Sequence, residues 1–226
     1  DGYSDPTVGW TAASNGADAF PNDDSQWVDS DGDGFGDNPT GTQGDACPSS
    51  NGNSTIDRFG CIDTDGDGRS NPGGTWTVAD GADAVPNNPT QHLDGDGDGY
   101  GDDPSGTFAD DCPGQSGTSN QNGTYGCPDA DNDGWQDSED ALPNDPSQWN
   151  DTDGDGFYDL PGGTNGDTCP DAPGNSTQGG VQGCPDQDGD GWANTIDEFV
   201  LDSTQHQDTD GDGYGDALAG TNGDAC

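Results

Sequence analysis

Residues 151–159 read Asp-Thr-Asp-Gly-Asp-Gly-Phe-Tyr-Asp, and this stretch decides what the chain is able to build. Acidic side chains alternate with small or polar residues, so Asp151, Asp153 and Asp155 are expected to turn their carboxylates toward a common centre. Gly156 permits the sharp turn that follows them. Such a segment offers oxygen ligands to a cation rather than apolar surface to a hydrophobic core.

Residues 129–140 form a related twelve-residue loop, with acidic side chains at positions 1, 3, 5, 9 and 12 and Gly134 at position 6. This is the ligand spacing of an EF-hand loop, in which position 7 contributes its backbone carbonyl. We name loops of this kind a-loops and loops like residues 151–159 b-loops, each preceded by a repeat number. Position 12 of the b-loops is not acidic. An Asp that lies eight residues after position 9 is expected to close the site instead.

The two loop types recur along the chain, which indicates an array of small repeats. The first anchor, Asp18, recurs at Asp83, Asp140 and Asp197, in steps of 65, 57 and 57 residues. A b-loop begins 11 residues after each anchor, and a Cys follows 18 residues after the first Asp of that loop. We assign the repeats to residues 1–60, 61–126, 127–183 and 184–226, of which the first and last are truncated.

The predicted metal ligands are the carboxylate and amide side chains at these loop positions. In the a-loops they are Asp1, Asp5 and Asp18 (loop Ia); Asp63, Asp65, Asp67, Asn71, Asp80 and Asp83 (IIa); Asp129, Asp131, Asp133, Asp137 and Asp140 (IIIa); and Asp186, Asp188, Asp190, Asn194 and Asp197 (IVa). In the b-loops they are Asp29, Asp31, Asp33, Asp37 and Asp45 (Ib); Asp94, Asp96, Asp98, Asp102 and Asp110 (IIb); Asp151, Asp153, Asp155, Asp159 and Asp167 (IIIb); and Asp208, Asp210, Asp212, Asp216 and Asp224 (IVb).

Calcium is the predicted ion, because it accepts many oxygen ligands in flexible loops, whereas magnesium demands a tighter octahedron and keeps its waters. One ion in each of eight loops would offset 16 of the 45 net negative charges. Five carboxylates around one ion would still repel each other. We therefore expect roughly 8 to 16 ions per chain, with carboxylates that bridge neighbouring ions.

The run 140–156, Asp-Ala-Leu-Pro-Asn-Asp-Pro-Ser-Gln-Trp-Asn-Asp-Thr-Asp-Gly-Asp-Gly, resembles thrombospondin type 3 repeats, in the variants found in secreted microbial surface proteins. The resemblance covers nearly the whole chain. It implies calcium-wrapped loops with little regular secondary structure, linked by disulfides, in a protein of adhesion or extracellular scaffolding. The long Cys-to-Cys segments and the insertions around Trp10 and Trp76 depart from that pattern.

Composition predicts that the chain is ordered only when metal is bound. Hydrophobic residues make up 24% of the chain and 41 residues are Gly, too little apolar surface to offset the backbone entropy. The net charge of −45, with Arg58 and Arg69 as the only cationic side chains besides His, excludes nucleic acid and anionic membrane surfaces as direct partners. No apolar run is long enough to insert into a membrane. The predicted fold is a calcium-stabilised, disulfide-stapled tandem array, elongated, with short β pieces at most.

Seven Cys in a loop-rich chain indicate disulfides and an oxidising, extracellular or cell-surface location. Two pairings are open. Neighbours pair as Cys47–Cys61, Cys112–Cys127 and Cys169–Cys184, or pairs cross each metal-binding body as Cys61–Cys112, Cys127–Cys169 and Cys184–Cys226. Either scheme leaves one Cys over, Cys226 or Cys47.

Two further patterns concern the surface. Four Asn-x-Ser/Thr sequons, at Asn53, Asn122, Asn150 and Asn175, are candidate glycosylation sites. Position 7 of the loops is aromatic nearly everywhere, and a second flat ring follows each Ser/Thr-Gln pair. We expect these rings to pack in small clusters, with a sugar-binding platform as the alternative.

The sequence predicts a non-enzymatic, calcium-stiffened extracellular rod or filament, because no Ser/His/Asp or Cys/His catalytic set is evident. An adhesin stalk that binds glycans or matrix, and an Asp-rich mineral-nucleating protein, are the alternatives. Asp1 and Gly2 fall at positions 5 and 6 of an a-loop, and Cys226 ends the chain where other repeats continue. We therefore expect either a protomer that self-associates into a linear filament or a window on a longer array.

Overall fold

The computed structural model describes residues 2, 6 and 16–224. Regular secondary structure in these residues is confined to one 3-10 helix, Val78–Asp80. Isolated bridges join Gly73 to Trp76 in antiparallel sense, and Gly101 to Ala109, Tyr158 to Gly166 and Gly215 to Gly223 in parallel sense. The prediction of little regular secondary structure is confirmed, whereas an elongated array stays a prediction.

The chain divides into two compact units. The first comprises Asp1–Gly117 with Tyr125–Cys127, and the second comprises Thr118–Thr124 with Pro128–Cys226. Both units contain a-loops and b-loops with the same internal hydrogen bonds, so each loop is described within its own unit. No helix in residues 16–224 combines the length and the apolar character needed to cross a bilayer.

Left-handed residues at positions 4 and 6 set the backbone path of every described loop. In loop IIIb, Gly154 and Gly156 have φ of 77° and 92°. Position 6 has φ between 91° and 99° in all seven loops within residues 16–224. Asn132 takes position 4 of loop IIIa with φ of 64°, a conformation that Asn tolerates better than most residues. The resulting turns point successive N–H groups into the loop.

A buried glutamine takes the place of an apolar core in each repeat. Gln26, Gln91, Gln148 and Gln205 each expose 1% or less of their surface. Nε2 of Gln148 donates to the carbonyl oxygens of Leu160 at 2.7 Å and Thr164 at 3.2 Å, and its Oε1 accepts the Leu160 N–H at 3.1 Å. The amide therefore supplies the partners that a neighbouring strand would otherwise provide.

Aromatic rings pack on one another, as expected from the sequence. Trp135 stacks on Trp149 with centroids 6.0 Å apart and planes 9° apart, and Trp192 stacks on His206 at 4.2 Å and 8°. In each pair, position 7 of an a-loop meets the ring that follows the buried Gln. These stacks tie each a-loop to the start of the b-loop in the same repeat.

The three disulfides join neighbouring Cys, so the neighbour pairing is confirmed and the pairing across the metal-binding bodies is wrong. The bonds are Cys47–Cys61, Cys112–Cys127 and Cys169–Cys184, with sequence separations of 14, 15 and 15 residues. Closing a loop of this length contributes about 3 kcal/mol. Cys226 lies outside the described residues. We call residues 47–61, 112–127 and 169–184 the staple segments.

The buried glutamines predict a localised loss of stability on truncation. Gln148→Ala would leave one N–H and two carbonyl groups without partners and open a cavity, so it should destabilise the metal-loaded protein by about 2–4 kcal/mol. Gln187→Ala, at an exposed position of the same unit, should change stability by less than about 0.5 kcal/mol. Thermal unfolding of both variants in excess calcium measures the difference, and equal midpoints would contradict it.

Candidate metal sites

The Asp at position 1 organises each loop through the backbone. In loop IIIb, Asp151 Oδ1 accepts the N–H of Gly154 at 2.7 Å and its Oδ2 accepts the N–H of Gly156 at 3.1 Å. The same two bonds, at 2.7–3.1 Å, recur in the other six described loops. Groups of the chain alone therefore hold each loop in its ring-like shape.

Positions 3 and 5 bring further carboxylates to the inside of the ring. Asp153 Oδ1 accepts the N–H of Asp155 at 3.3 Å, and Asp155 Oδ1 accepts the N–H of Phe157 at 2.8 Å. Seven groups of three or more acidic side chains place ligand atoms within 4.8 Å of one another, and five of them are the position 1, 3 and 5 Asp of loops Ib, IIa, IIb, IIIa and IIIb. Each of these groups could hold a metal ion.

The Asp that follows each Gly-rich detour returns to its own b-loop. Asp45, Asp110 and Asp167 expose 2%, 7% and 1% of their surface, and Oδ1 of each accepts the N–H of the Cys two residues later at 2.6–2.7 Å. Burial raises the pKa of all three, in Asp45 to about 6, and repulsion from the position 3, 5 and 9 Asp of the same loop adds to the rise. The closing carboxylates thus face the ring.

The a-loops are closed in the same way, even where an insertion intervenes. Asp83 is fully buried, and its pKa is raised by burial and then by repulsion from Asp67 and Asp65 of loop IIa. Asp140 likewise closes on loop IIIa, with its pKa raised by burial and by the loop carboxylates. Asp18 is buried and accepts the Phe20 N–H at 2.7 Å. The other predicted ligands of loop Ia, Asp1 and Asp5, lie outside the described residues.

Buried carboxylate oxygens without a hydrogen-bond partner mark where a cation fits. In the described part of the chain, 14 buried side-chain nitrogen or oxygen atoms have no partner, and 13 of these are Asp oxygens. All 13 belong to position 3, position 5 or the closing position; the residues are Asp31, Asp45, Asp65, Asp83, Asp96, Asp110, Asp131, Asp133, Asp153, Asp188 and Asp197. An unpartnered buried polar group costs about 1–3 kcal/mol, and more if charged. The donor set therefore fits a hard cation.

Position 9, which the sequence predicts as a ligand, is engaged in another contact. Its side-chain oxygen accepts the N–H of position 2 at 2.7–3.2 Å in all seven described loops. In loop IIIb, Oδ2 of Asp159 also accepts the hydroxyl of Thr152 and the Nδ2 amide of Asn150. The position 9 side chain thus clasps the two ends of the loop together, and none of its oxygens is among the unpartnered ones.

Asp80 stands apart from the other predicted ligands of loop IIa. Its carboxylate accepts the backbone N–H and the hydroxyl of Thr77 at 3.1 and 2.7 Å, as the capping residue of the 3-10 helix. These bonds lower its pKa, and its side chain is exposed. The structure therefore places this carboxylate on the insertion, and Asp83 is the residue that reaches the ring.

Two kinds of supporting residue escape sequence reasoning. The first is the buried Gln, which fastens the detour between position 9 and the closing Asp; its constant placement three residues before each b-loop is the signal that could have found it. The second is a glycine in each staple segment. The N–H groups of Gly52, Gly117 and Gly174 donate to position 5 of loops Ib, IIb and IIIb at 3.1, 2.9 and 2.6 Å.

The four sequons lie at exposed Asn residues, and glycosylation stays a prediction. Asn150 differs from the others, because its Nδ2 donates to Thr152 Oγ1 at 3.0 Å and to Asp159 Oδ2 at 2.7 Å. A glycan at this amide nitrogen would disturb the clasp of loop IIIb.

Comparison with models of known protein families gives no match, and no curated protein matches the chain. The loops themselves are therefore the guide to function.

The contrast between Asp83 and Asp80 predicts a site-specific loss of metal. Asp83→Asn removes the charge of a buried closing ligand and should weaken calcium binding at loop IIa by roughly tenfold or more. Asp80→Asn removes one charge three residues away and should leave the number of tightly bound ions unchanged. Equilibrium dialysis with radioactive calcium counts these ions, and a matching loss in both variants would mean that Asp80 is also a ligand.

The raised pKa of Asp45 predicts opposite pH trends with and without metal. In ion-free protein, a carboxyl whose pKa rises from 3.8 to about 6 on folding contributes stability below pH 3.8, and that stability is lost as the pH rises through about 6. Metal binding requires the ionised form, so metal-loaded protein should gain stability over the same range. Unfolding midpoints from about pH 4 to 7 should fall for calcium-depleted protein and rise in excess calcium. Parallel trends would refute the assignment.

Proposed function

We propose that this chain is a calcium-binding structural protein of the extracellular space, whose Asp-rich loops become ordered and stiff when they fill with calcium. The observation that carries the proposal is the set of 13 buried, unpartnered Asp oxygens at positions 3, 5 and the closing position of successive loops. Residues at these positions would hold the ion, and the ion would supply the positive charge that the chain lacks. The run 140–156 supports kinship with thrombospondin type 3 repeats.

Calcium fits this donor set better than other metals. Every candidate group is made of carboxylates alone, which favours hard cations, and zinc or copper would favour His or Cys ligands. Each loop is a flexible turn rather than a compact cage, which suits the larger and more variable coordination shell of calcium. We keep the expectation of roughly 8 to 16 ions per chain, because eight ions would offset only 16 of 45 negative charges.

Three disulfides fit an oxidising environment and therefore support an extracellular or cell-surface location. A structural role is favoured over mineral nucleation, because the unpartnered carboxylate oxygens are buried inside loops, whereas a nucleator would present them to a crystal face. Self-association into a linear array remains part of the proposal and follows from the repeat pattern.

Removal of calcium should therefore unfold the chain, because the carboxylates would repel each other and no apolar core would remain to hold them. Small-angle scattering should show the radius of gyration rise by about 1.5-fold or more when a calcium-selective chelator is added in the presence of magnesium. Refilling with calcium should reverse the change. The control is the same chain in magnesium and potassium chloride of equal ionic strength, which should not restore the compact state. An unchanged scattering profile in excess chelator would refute the proposal.

A further inference from the structure

Staple segment 169–184 contacts two successive loops of the second unit. The Gly174 N–H donates to Oδ2 of Asp155, at position 5 of loop IIIb, at 2.6 Å. A few residues later, the N–H groups of Thr177 and Gln178 both donate to the carbonyl oxygen of Gly191, at 2.8 and 2.9 Å. Gly191 is position 6 of loop IVa. Five residues therefore join a ligand of one loop to the turn of the next.

The same arrangement occurs in the first unit. In staple segment 47–61, the Gly52 N–H donates to Asp33 Oδ2 of loop Ib at 3.1 Å. The N–H groups of Thr55 and Ile56 converge on the Gly68 carbonyl oxygen of loop IIa, both at 2.8 Å. The recurrence in a different sequence context indicates a built connection rather than a chance contact.

The connection is stiff. The N–H groups of Asn175 and Ser176 donate to the Cys184 carbonyl at 3.2 Å, and the fully buried Ser176 hydroxyl accepts the Cys184 N–H at 3.0 Å. A Cβ on Gly174 would lie 1.9 Å from the Cys184 carbonyl carbon, so the segment has no room to shift there. With the disulfide closing its ends, this segment transmits a displacement instead of absorbing it.

We propose that the staple segment couples two ion sites positively, so that calcium in loop IIIb strengthens calcium binding in loop IVa. This coupling rests on the proposed function. Without an ion, repulsion from its neighbours displaces Asp155, and Gly174 moves with it. An ion fixes Asp155 and, through the segment, presents the Thr177 and Gln178 N–H groups to the turn of loop IVa. The turn is then already ordered when its own ion arrives.

Simple electrostatics would couple the two loops with the opposite sign. An ion in loop IIIb makes the surroundings less negative, so it should weaken the attraction of loop IVa for a second ion. The sign of the coupling therefore separates a mechanical link through the segment from a field effect.

Asp153→Ala tests the sign, because it removes a position 3 ligand of loop IIIb and leaves the segment intact. The readout is the indole N–H resonance of Trp192, at position 7 of loop IVa, in a calcium titration of the full chain. The midpoint should move to at least about fivefold higher calcium. Asp171→Ala, which removes an exposed charge from the same staple segment, should leave it unchanged. A midpoint that stays or moves lower in Asp153→Ala would overturn the coupling.

Thr177→Pro removes one of the two linking donors and should abolish the effect of Asp153→Ala on the Trp192 midpoint. If that variant does not fold, amide hydrogen exchange in Asp153→Ala decides. Exchange at Thr177 and Gln178 should rise at least about fivefold at calcium levels that fill the wild type, and unchanged protection would overturn the coupling. A Trp192 resonance that ignores calcium altogether would instead refute the proposed function.

Discussion

Carboxylates that are buried against one another without hydrogen-bond donors must be neutralised, and every other feature of this chain follows from that constraint. Asp45, Asp83 and Asp110 each keep one oxygen out of contact with both water and donors. Protonation neutralises such groups at low pH, and a cation does so at neutral pH. The chain has no Lys and only two Arg, so its own side chains cannot serve. An external ion is the remaining source of positive charge.

A division of labour among the Asp residues prepares the loops for that ion. The carboxylates at position 1 and the side chains at position 9 are satisfied by backbone N–H groups, and they shape the ring. Those at position 3 and at the closing position keep oxygens free of donors. The buried Gln148 fixes the detour that delivers Asp167. Polar groups thus perform the positioning that an apolar core performs elsewhere, and this explains how a chain with 24% hydrophobic residues holds a defined structure.

Much of this organisation could be predicted from the sequence, because ligand spacing is short-range and leaves a period. The loop rhythm, the closing role of Asp45 and the pull of the anchor Asp83 across an insertion all follow from constant distances along the chain. The roles of Gly52, Gly174 and Gln148 could not be predicted, since each bonds a backbone group or carboxylate 12 to 19 residues away. Position 9 was assigned to metal because its spacing fits a ligand equally well. Only the structure separates it from the ring.

The short disulfide loops also set how far the chain extends under tension. Cys47 and Cys61 have Cα atoms 5.1 Å apart, although the 14 residues that separate them would span about 48 Å if drawn out. Three such segments are withheld from any stretching, with or without metal. The length that calcium loss releases comes only from the ion-binding bodies between them. Each staple segment then persists as a short, pre-shaped template at which the adjoining loops can re-form when calcium returns.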